Sequence, residues 1–318
     1  MKIIPRLKSQ TYIFIGFSIL LFGTVFIFSK QVIPPLNSVS YMFLRSALGS
    51  VFLFFVLGFK KNLKDCWQFI KNNIKSTILF ALVLHLFPLI LIFIATPITT
   101  ATNQVIINNL NLTFVVIINL VFYGKKPSRR LGLVVIINFV GILLVLSPLN
   151  FTSNPTLLGD LITVFAIFLG AFYPGYNKRM AEKTDPLILG FCLNIFPAVA
   201  LLPFTFMFNQ VITYALLEPV GWFYMIWIGI GISSMGYVLV NAAYSDKNLT
   251  PEMFSLFLTL IPIVGLVFSL LIYKETIGWL NLLGALIIIF SIYWGNREKK
   301  KPQDEKDTFI RNNDSKVV

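Results

Sequence analysis

The chain has 318 residues, of which 57% are hydrophobic and only 12% charged, with a mean hydropathy of +0.81. Soluble domains carry about 25% charged residues, so a water-soluble fold is excluded, and with it a separate catalytic domain, because nearly every segment is an apolar run or a short connector. The net charge of +13 comes from 26 Lys and Arg against 13 Asp and Glu, and it is spread through the connectors, so no nucleic-acid partner is expected.

About 20 apolar residues are needed to cross roughly 30 Å of hydrocarbon. Ten runs of about that length occur, at 11–29, 38–59, 76–96, 100–123, 131–149, 157–177, 187–208, 222–244, 251–273 and 277–295. The first follows a basic start, as a secretory signal would, but it is too long and no A-x-A-like site precedes Lys30, so it reads as a retained helix. The second run carries Arg45 about a third of the way in, and the third carries the sole histidine, His85, three residues before Pro88. The fourth is rich in amides: Thr102, Asn103, Gln104, Asn108, Asn109, Asn111 and Thr113 fall within one short stretch, with several near one helical face.

The sixth run ends in Tyr173, Pro174, Gly175 and Tyr176, which predicts a break. Cys192 lies in the seventh and Cys66 in an early connector, a separation that offers no metal spacing and predicts no disulfide. The eighth run combines small residues with Tyr237, Asn241 and Tyr244, spaced by 4 and 3 and so near one face. The ninth has Ser255 and Thr259 before Pro262. Asp160 and Glu252 sit where first-turn acids favour the positive end of a helix dipole. The tail 297–318 is polar with mixed charge and is expected to be disordered and cytoplasmic.

With the N-terminus inside, 23 Lys and Arg fall on the inner side and only Lys30 and Lys274 on the outer, Arg45 being within a span. That asymmetry is what the positive-inside rule requires, and it puts both termini in the cytoplasm of a cell-membrane protein. Five helices per half carry the chain to the opposite face, so the halves 1–150 and 151–296 form inverted repeats. The fold class is therefore an all-α polytopic membrane protein with ten transmembrane helices as two inverted five-helix repeats. Such halves enclose a midplane site and rock about it, which points to transport.

The segments SILLFGTVFIFSK, FLRSALGS, LGDLITVFAIFLGAFY, GYVLVNAAY, LIPIVGLVFSLLIYKE and LGALIIIFSIYWG, in this order over residues 11–296, resemble the EamA-type branch of the drug/metabolite transporter superfamily. The resemblance implies a transporter of small metabolites, often amino acids or other polar organic solutes and frequently an exporter, with a cavity lined by helices 1, 3, 4, 6, 8 and 9. It places His85 and the helix 4 amides beside that cavity.

Ionisable and polar groups within hydrocarbon are costly, so each is a candidate for solute contact. The substrate-binding candidates are Arg45, His85, Asn103, Asn108, Asn111, Tyr237 and Asn241. Arg45 has two readings: a fork for a carboxylate or phosphate, or a structural group that bonds carbonyls or snorkels. His85 can give and accept a hydrogen bond or carry a proton. An enzyme would need paired carboxylates, a histidine cluster or an activated nucleophile, none of which the runs contain, so no catalytic residue, metal or cofactor is expected. The alternatives are a channel, which would need a filter or charged ring, and a non-transporting membrane protein. The expected partners are a small-molecule solute and membrane lipid, with a homodimer left open.

Overall fold

A computed structural model of the chain describes residues 7–32, 36–60, 62–95, 98–99, 107–108, 110–124, 128–145, 157–207, 218–273 and 279–296. The tail 297–318, the amides Asn103, Gln104 and Asn109, residue Thr102, and Lys274, Glu275, Lys125 and Lys126 lie outside them. Among the described residues the elements are all helical: α1 Ser9–Gly23, α2 Val25–Val32, α3 Ser38–Phe59, α4 Leu63–Asn72, α5 Ile74–Ala95, α6 Leu110–Tyr123 and α7 Arg129–Val145. They continue with α8 Leu157–Gly170, α9 Tyr173–Ala181, α10 Pro186–Met207, α11 Pro219–Tyr244, α12 Pro251–Leu258, α13 Ile261–Tyr273 and α14 Trp279–Asn296.

Among the described residues, five stretches are long and apolar enough to cross a membrane: Ser38–Phe59, Ile74–Ala95, Leu158–Ala181, Pro186–Phe206 and Pro219–Tyr244. Four further apolar helices are shorter, Ser9–Gly23, Leu110–Phe122, Pro251–Gly265 and Leu282–Gly295. Large apolar side chains such as Phe17, Phe55, Val121, Leu158, Phe206 and Leu286 stand exposed on the outside. That surface suits lipid, since in water so many exposed apolar groups would drive association.

Local chemistry explains the helix boundaries. The Asn37 side chain caps α3 by accepting from the Ser40 N–H at 2.8 Å, and the Thr250 hydroxyl caps α12 from Met253 N–H at 3.2 Å. Pro251, Pro219 and Pro186 occupy first helical positions, where the missing N–H is not needed. The break read from Tyr173 and Pro174 is present, as a turn at Ala171 and Phe172 between α8 and α9. The run 251–273 was expected as one helix and is instead interrupted at Thr259 and Leu260, because the Pro262 ring excludes the carbonyl of residue 258. The first run is likewise interrupted at Thr24, whose hydroxyl turns back to the Leu21 carbonyl at 2.7 Å.

Two wide turns are absent from any periodicity argument. Leu79–Leu86 within α5 and Trp227–Gly236 within α11 are π-helical, each fitting extra backbone into the helix. In α5 the widened stretch lies immediately before Pro88, and Phe87 N–H reaches back to the Leu82 carbonyl. In α11 the loosened backbone is held by neighbours: the Asn194 amide donates to the Ser233 carbonyl at 2.7 Å, and the Ser234 hydroxyl donates to the Gly49 and Gly229 carbonyls, both at 3.0 Å.

These contacts sit on a seam where α3 meets α10 and α11 at backbone distance. A Cβ on Gly49 would fall 2.4 Å from Asn194 Oδ1, and one on Gly229 would fall 2.6 Å from the Leu48 Cβ. Small residues let membrane helices approach this closely and so gain packing that lipid cannot supply. Elsewhere the Asn138 amide donates to the Thr259 and Ser291 hydroxyls, both at 2.9 Å, joining α7, α14 and the break after α12. Cys66 and Cys192 are free and buried in one apolar cluster with Leu57 and Ile188.

Candidate functional site

Between these helices lies a cavity of about 260 Å³. Its wall is built from both sides of the chain: Arg45 from α3, His85 and Pro88 from α5, Asn108 and Asn111 at the start of α6, Thr163 from α8, Tyr173 from α9, Tyr237 and Tyr244 from α11 and Ser255 from α12. Most of the remaining wall is apolar, including Phe22, Leu89, Ile167 and Phe254.

Arg45 is 4% exposed, and its Nε donates to the Ser233 hydroxyl at 2.5 Å. The π turn that carries Ser233 is thus the element that holds the guanidinium. The same guanidinium lies against the Tyr41 and Tyr237 hydroxyls, and Tyr41 shares a further hydrogen bond with Ser29 at 2.5 Å. Every one of these partners is neutral.

His85, 8% exposed, sits in the other π turn. Its ring meets Tyr237 edge-on at 4.7 Å between centroids and Tyr173 at 5.5 Å. Tyr173 stacks in turn on Phe80 at 5.4 Å, its hydroxyl accepts from the Asn177 amide at 3.2 Å, and Phe22 leans on Tyr237 at 5.4 Å. The result is an aromatic wall beside a fixed positive charge. Off-centre and edge-on pairs of this kind each contribute about 0.5–1.5 kcal/mol beyond their buried area, which stiffens the wall.

Among the described residues, two hydroxyls of lining residues have no protein partner: that of Tyr244, fully buried, and that of Ser255, a residue 3% exposed. Buried polar groups are almost always hydrogen-bonded, so two unpaired hydroxyls on residues that line the cavity are exceptional.

Of the residues singled out from sequence, the structure brings Arg45, His85, Asn108, Asn111 and Tyr237 to one cavity. It turns Asn241 away: the side chain is buried and its amide donates to the Pro186 carbonyl at 3.4 Å, on the α10 side of α11. Asn103 is outside the described residues. Sequence reasoning did not select Thr163, Ser233 as the Arg45 partner, or Asn194, although a lone amide inside LGFCLNIFPAV was a legible signal.

Beyond the α11 end of the cavity a latch ties three segments. Asp246 accepts from the Thr11 hydroxyl at 2.7 Å, from Lys8 N–H at 3.0 Å and from Asn248 N–H at 3.0 Å. Lys178 of α9 donates to the Tyr244 and Asp246 carbonyls and pairs with Glu182 at 3.1 Å. Burial alone would raise the Asp246 carboxyl, but the Thr11, Lys8 and Asn248 donors, with the Lys8 charge, outweigh it and hold it below the ordinary value of 3.8.

A depressed folded value means that the stabilisation is fully present above the unfolded value and is lost as pH falls through the folded one. Acidification from pH 7 to 5 is therefore expected to leave the latch intact, and weakening to begin only below about pH 4. Asp246→Asn should lower the melting temperature at pH 7, since a neutral amide turns N–H groups toward donors. An Asp246→Asn protein as stable as the parent at pH 7 would refute the latch.

The helical architecture, the lipid-suited exterior and the internal polar-tipped cavity define a polytopic membrane protein. The sequence profile of the EamA-like transporter family matches residues 10–147 and 157–296. The chain belongs to the EamA-like transporter family, within the drug/metabolite transporter superfamily, and is a membrane transporter. It is 26% identical to an "Uncharacterized transporter" of Archaeoglobus fulgidus over 90% of this chain and 97% of that one. It is 24% identical to the "Uncharacterized transporter YyaM" of Bacillus subtilis over 87% of this chain and 90% of that one. A solved crystal structure, 13% identical, matches with a TM-score of 0.72 over 91% of this chain and 97% of the other, a likeness of fold.

Proposed function

We propose that the protein is a secondary carrier that moves a small polar organic solute, an amino acid or a similar metabolite, across the cell membrane by alternating access, as an exporter or exchanger. In this reading ten helices form two inverted halves, 1–150 and 151–296, with both termini cytoplasmic. The observation that carries it is the central cavity, whose wall draws Arg45, His85, Asn108 and Asn111 from one half and Thr163, Tyr173, Tyr237 and Ser255 from the other. A site shared between halves is exposed to one side or the other as the halves rock, whereas a site within one half would not be.

Counterflow in proteoliposomes tests the carrier: preloaded unlabelled solute should accelerate entry of labelled solute, which a channel cannot do. Asn108→Leu or Asn111→Leu should reduce transport at least tenfold while leaving folded protein in the membrane, since each removes a donor and acceptor from the wall. Normal transport by both variants would remove these amides from the site. The topology is tested separately, with cysteines at Asn154 and Lys125 of a Cys-free protein. Impermeant reagent should label only the first from outside, and labelling at 125 from outside would overturn the sidedness.

A further inference from the structure

We propose that the solute is a monocarboxylate with an apolar or aromatic body and no cationic group. The inference rests on the cavity being the solute site, as in the carrier reading above, and narrows that reading's solutes to metabolites other than amino acids.

Charge balance is the first argument. Among the described lining residues Arg45 is the one full charge, and no Asp, Glu or Lys joins it. No carboxylate among the described residues forms an ion pair with Arg45, whose contacts are the hydroxyls of Ser233, Tyr41 and Tyr237. A buried guanidinium without a counter-charge is costly. A solute with one negative charge brings the occupied site to neutrality. A zwitterion leaves the site with the same net charge and adds an ammonium that no lining carboxylate meets. A phosphate monoester, with a charge of about −1.5 to −2 at neutral pH, overcompensates.

Shape is the second argument. Nε of Arg45 is taken by Ser233 and the Tyr41 and Tyr237 hydroxyls lie against the same guanidinium, so about two of its five N–H groups remain to meet a carboxylate. Beside that head the rings of Tyr237, His85, Tyr173 and Phe22 form a continuous aromatic wall. Tyr237 touches the Arg45 end and Tyr244 lies two turns along α11 on the same side, a separation of about 10 Å at the helical rise. There the unpaired Tyr244 and Ser255 hydroxyls are buried in lining residues, and a rotation of either side chain would bring its hydroxyl to a polar group at the far end of the solute. A hydroxyl or oxo substituent on the body fits that place.

Four probes with one body and different heads separate the classes: 3-phenylpropanoate, L-phenylalanine, 3-phenylpropanamide and 2-phenylethylamine. Thermal stabilisation of the purified full chain in detergent micelles reads binding without requiring flux. The carboxylate should stabilise at concentrations at least tenfold lower than the other three, and 3-(4-hydroxyphenyl)propanoate should bind more tightly than its parent, an advantage lost in Ser255→Ala. Arg45→Gln should erase the preference for the carboxylate over the amide. Where that variant does not fold, Arg45→Lys, which keeps the charge, should keep the ranking, and loss of the ranking in Arg45→Lys overturns the proposal.

Equal binding of L-phenylalanine or the amide, or no stabilisation by any probe at millimolar concentration, overturns the assignment. Counterflow with the same probes distinguishes the two readings. Binding of the carboxylate without flux refutes the carrier and leaves the ligand class standing. Flux that favours the zwitterion refutes the ligand class and leaves the carrier standing.

Discussion

Gly49→Ala is expected to lower the unfolding free energy by about 2–4 kcal/mol, whereas Gly16→Ala should be neutral or stabilising by up to about 1 kcal/mol. Both positions are helical and both lie in apolar runs, so propensity and hydropathy predict the same outcome for the two. The surroundings separate them. A Cβ at Gly16 meets nothing within 4 Å, while at Gly49 it meets Asn194 Oδ1 at 2.4 Å and the Gly229 carbonyl at 3.1 Å.

Asn194 cannot simply retreat, because its amide holds the Ser233 carbonyl of the π turn. Displacing it leaves that buried carbonyl without a partner, at a cost of about 1–3 kcal/mol added to the overpacking itself. Melting of the two purified variants in the same detergent decides the matter. Equal shifts would mean that α3 does not pack on α10 at backbone distance.

Lys178→Met should cost about 3 kcal/mol of stability, since two charge-assisted hydrogen bonds at about 1.5–3 kcal/mol each are lost and only part is returned by burying an apolar chain. The Nζ donates to the Tyr244 carbonyl at 2.8 Å and to the Asp246 carbonyl at 2.5 Å. Both carbonyls belong to the end of α11 and the turn after it, where a helix terminates with acceptors its own backbone cannot satisfy and where a cation is favoured by the dipole. The Glu182 pair, half-exposed and one turn away, contributes little by comparison, so Glu182→Gln should change stability by less than about 0.5 kcal/mol. A larger loss for Glu182→Gln than for Lys178→Met would show that the ion pair, not the helix end, is what Lys178 serves.

Much of this site could be read from residue type alone. An arginine and a histidine within apolar runs stand out because hydrocarbon penalises them, and both reach the cavity. The amides at Asn108 and Asn111 follow the same logic. Asn241 shows where face arithmetic fails. Relative to Tyr237 it is rotated by about 40° in one sense and Tyr244 by about 20° in the other, so the two tyrosines share the cavity while Asn241 faces α10.

The π turns were invisible for a different reason. On α11 the support is tertiary, since Asn194 of α10 donates to the Ser233 carbonyl and the Gly49 carbonyl of α3 accepts from Ser234, and on α5 Pro88 is visible in the sequence but a proline does not by itself predict a widened turn ahead of it. LFALVLHL has no residue that forbids an ordinary helix.

Those wide turns give α5 and α11 a property that a uniform helix lacks. Each residue of an α-helix advances the azimuth by about 100°, so inserted backbone sets the part beyond it out of phase with the part before. In α5 the segment Ile74–Ile78 and the segment Phe87–Ala95 therefore present faces chosen independently of each other, one to α4 and one to α8, although the chain between them never leaves the helix. The same holds for Pro219–Ile226 and Tyr237–Tyr244 in α11. Arg45 is gripped from one phase junction through Ser233 and His85 sits in the other. The two ionisable side chains taken from apolar runs into this cavity wall are thus anchored where the helical phase is a free variable, set by packing on either side and not by the spacing of residues along the chain.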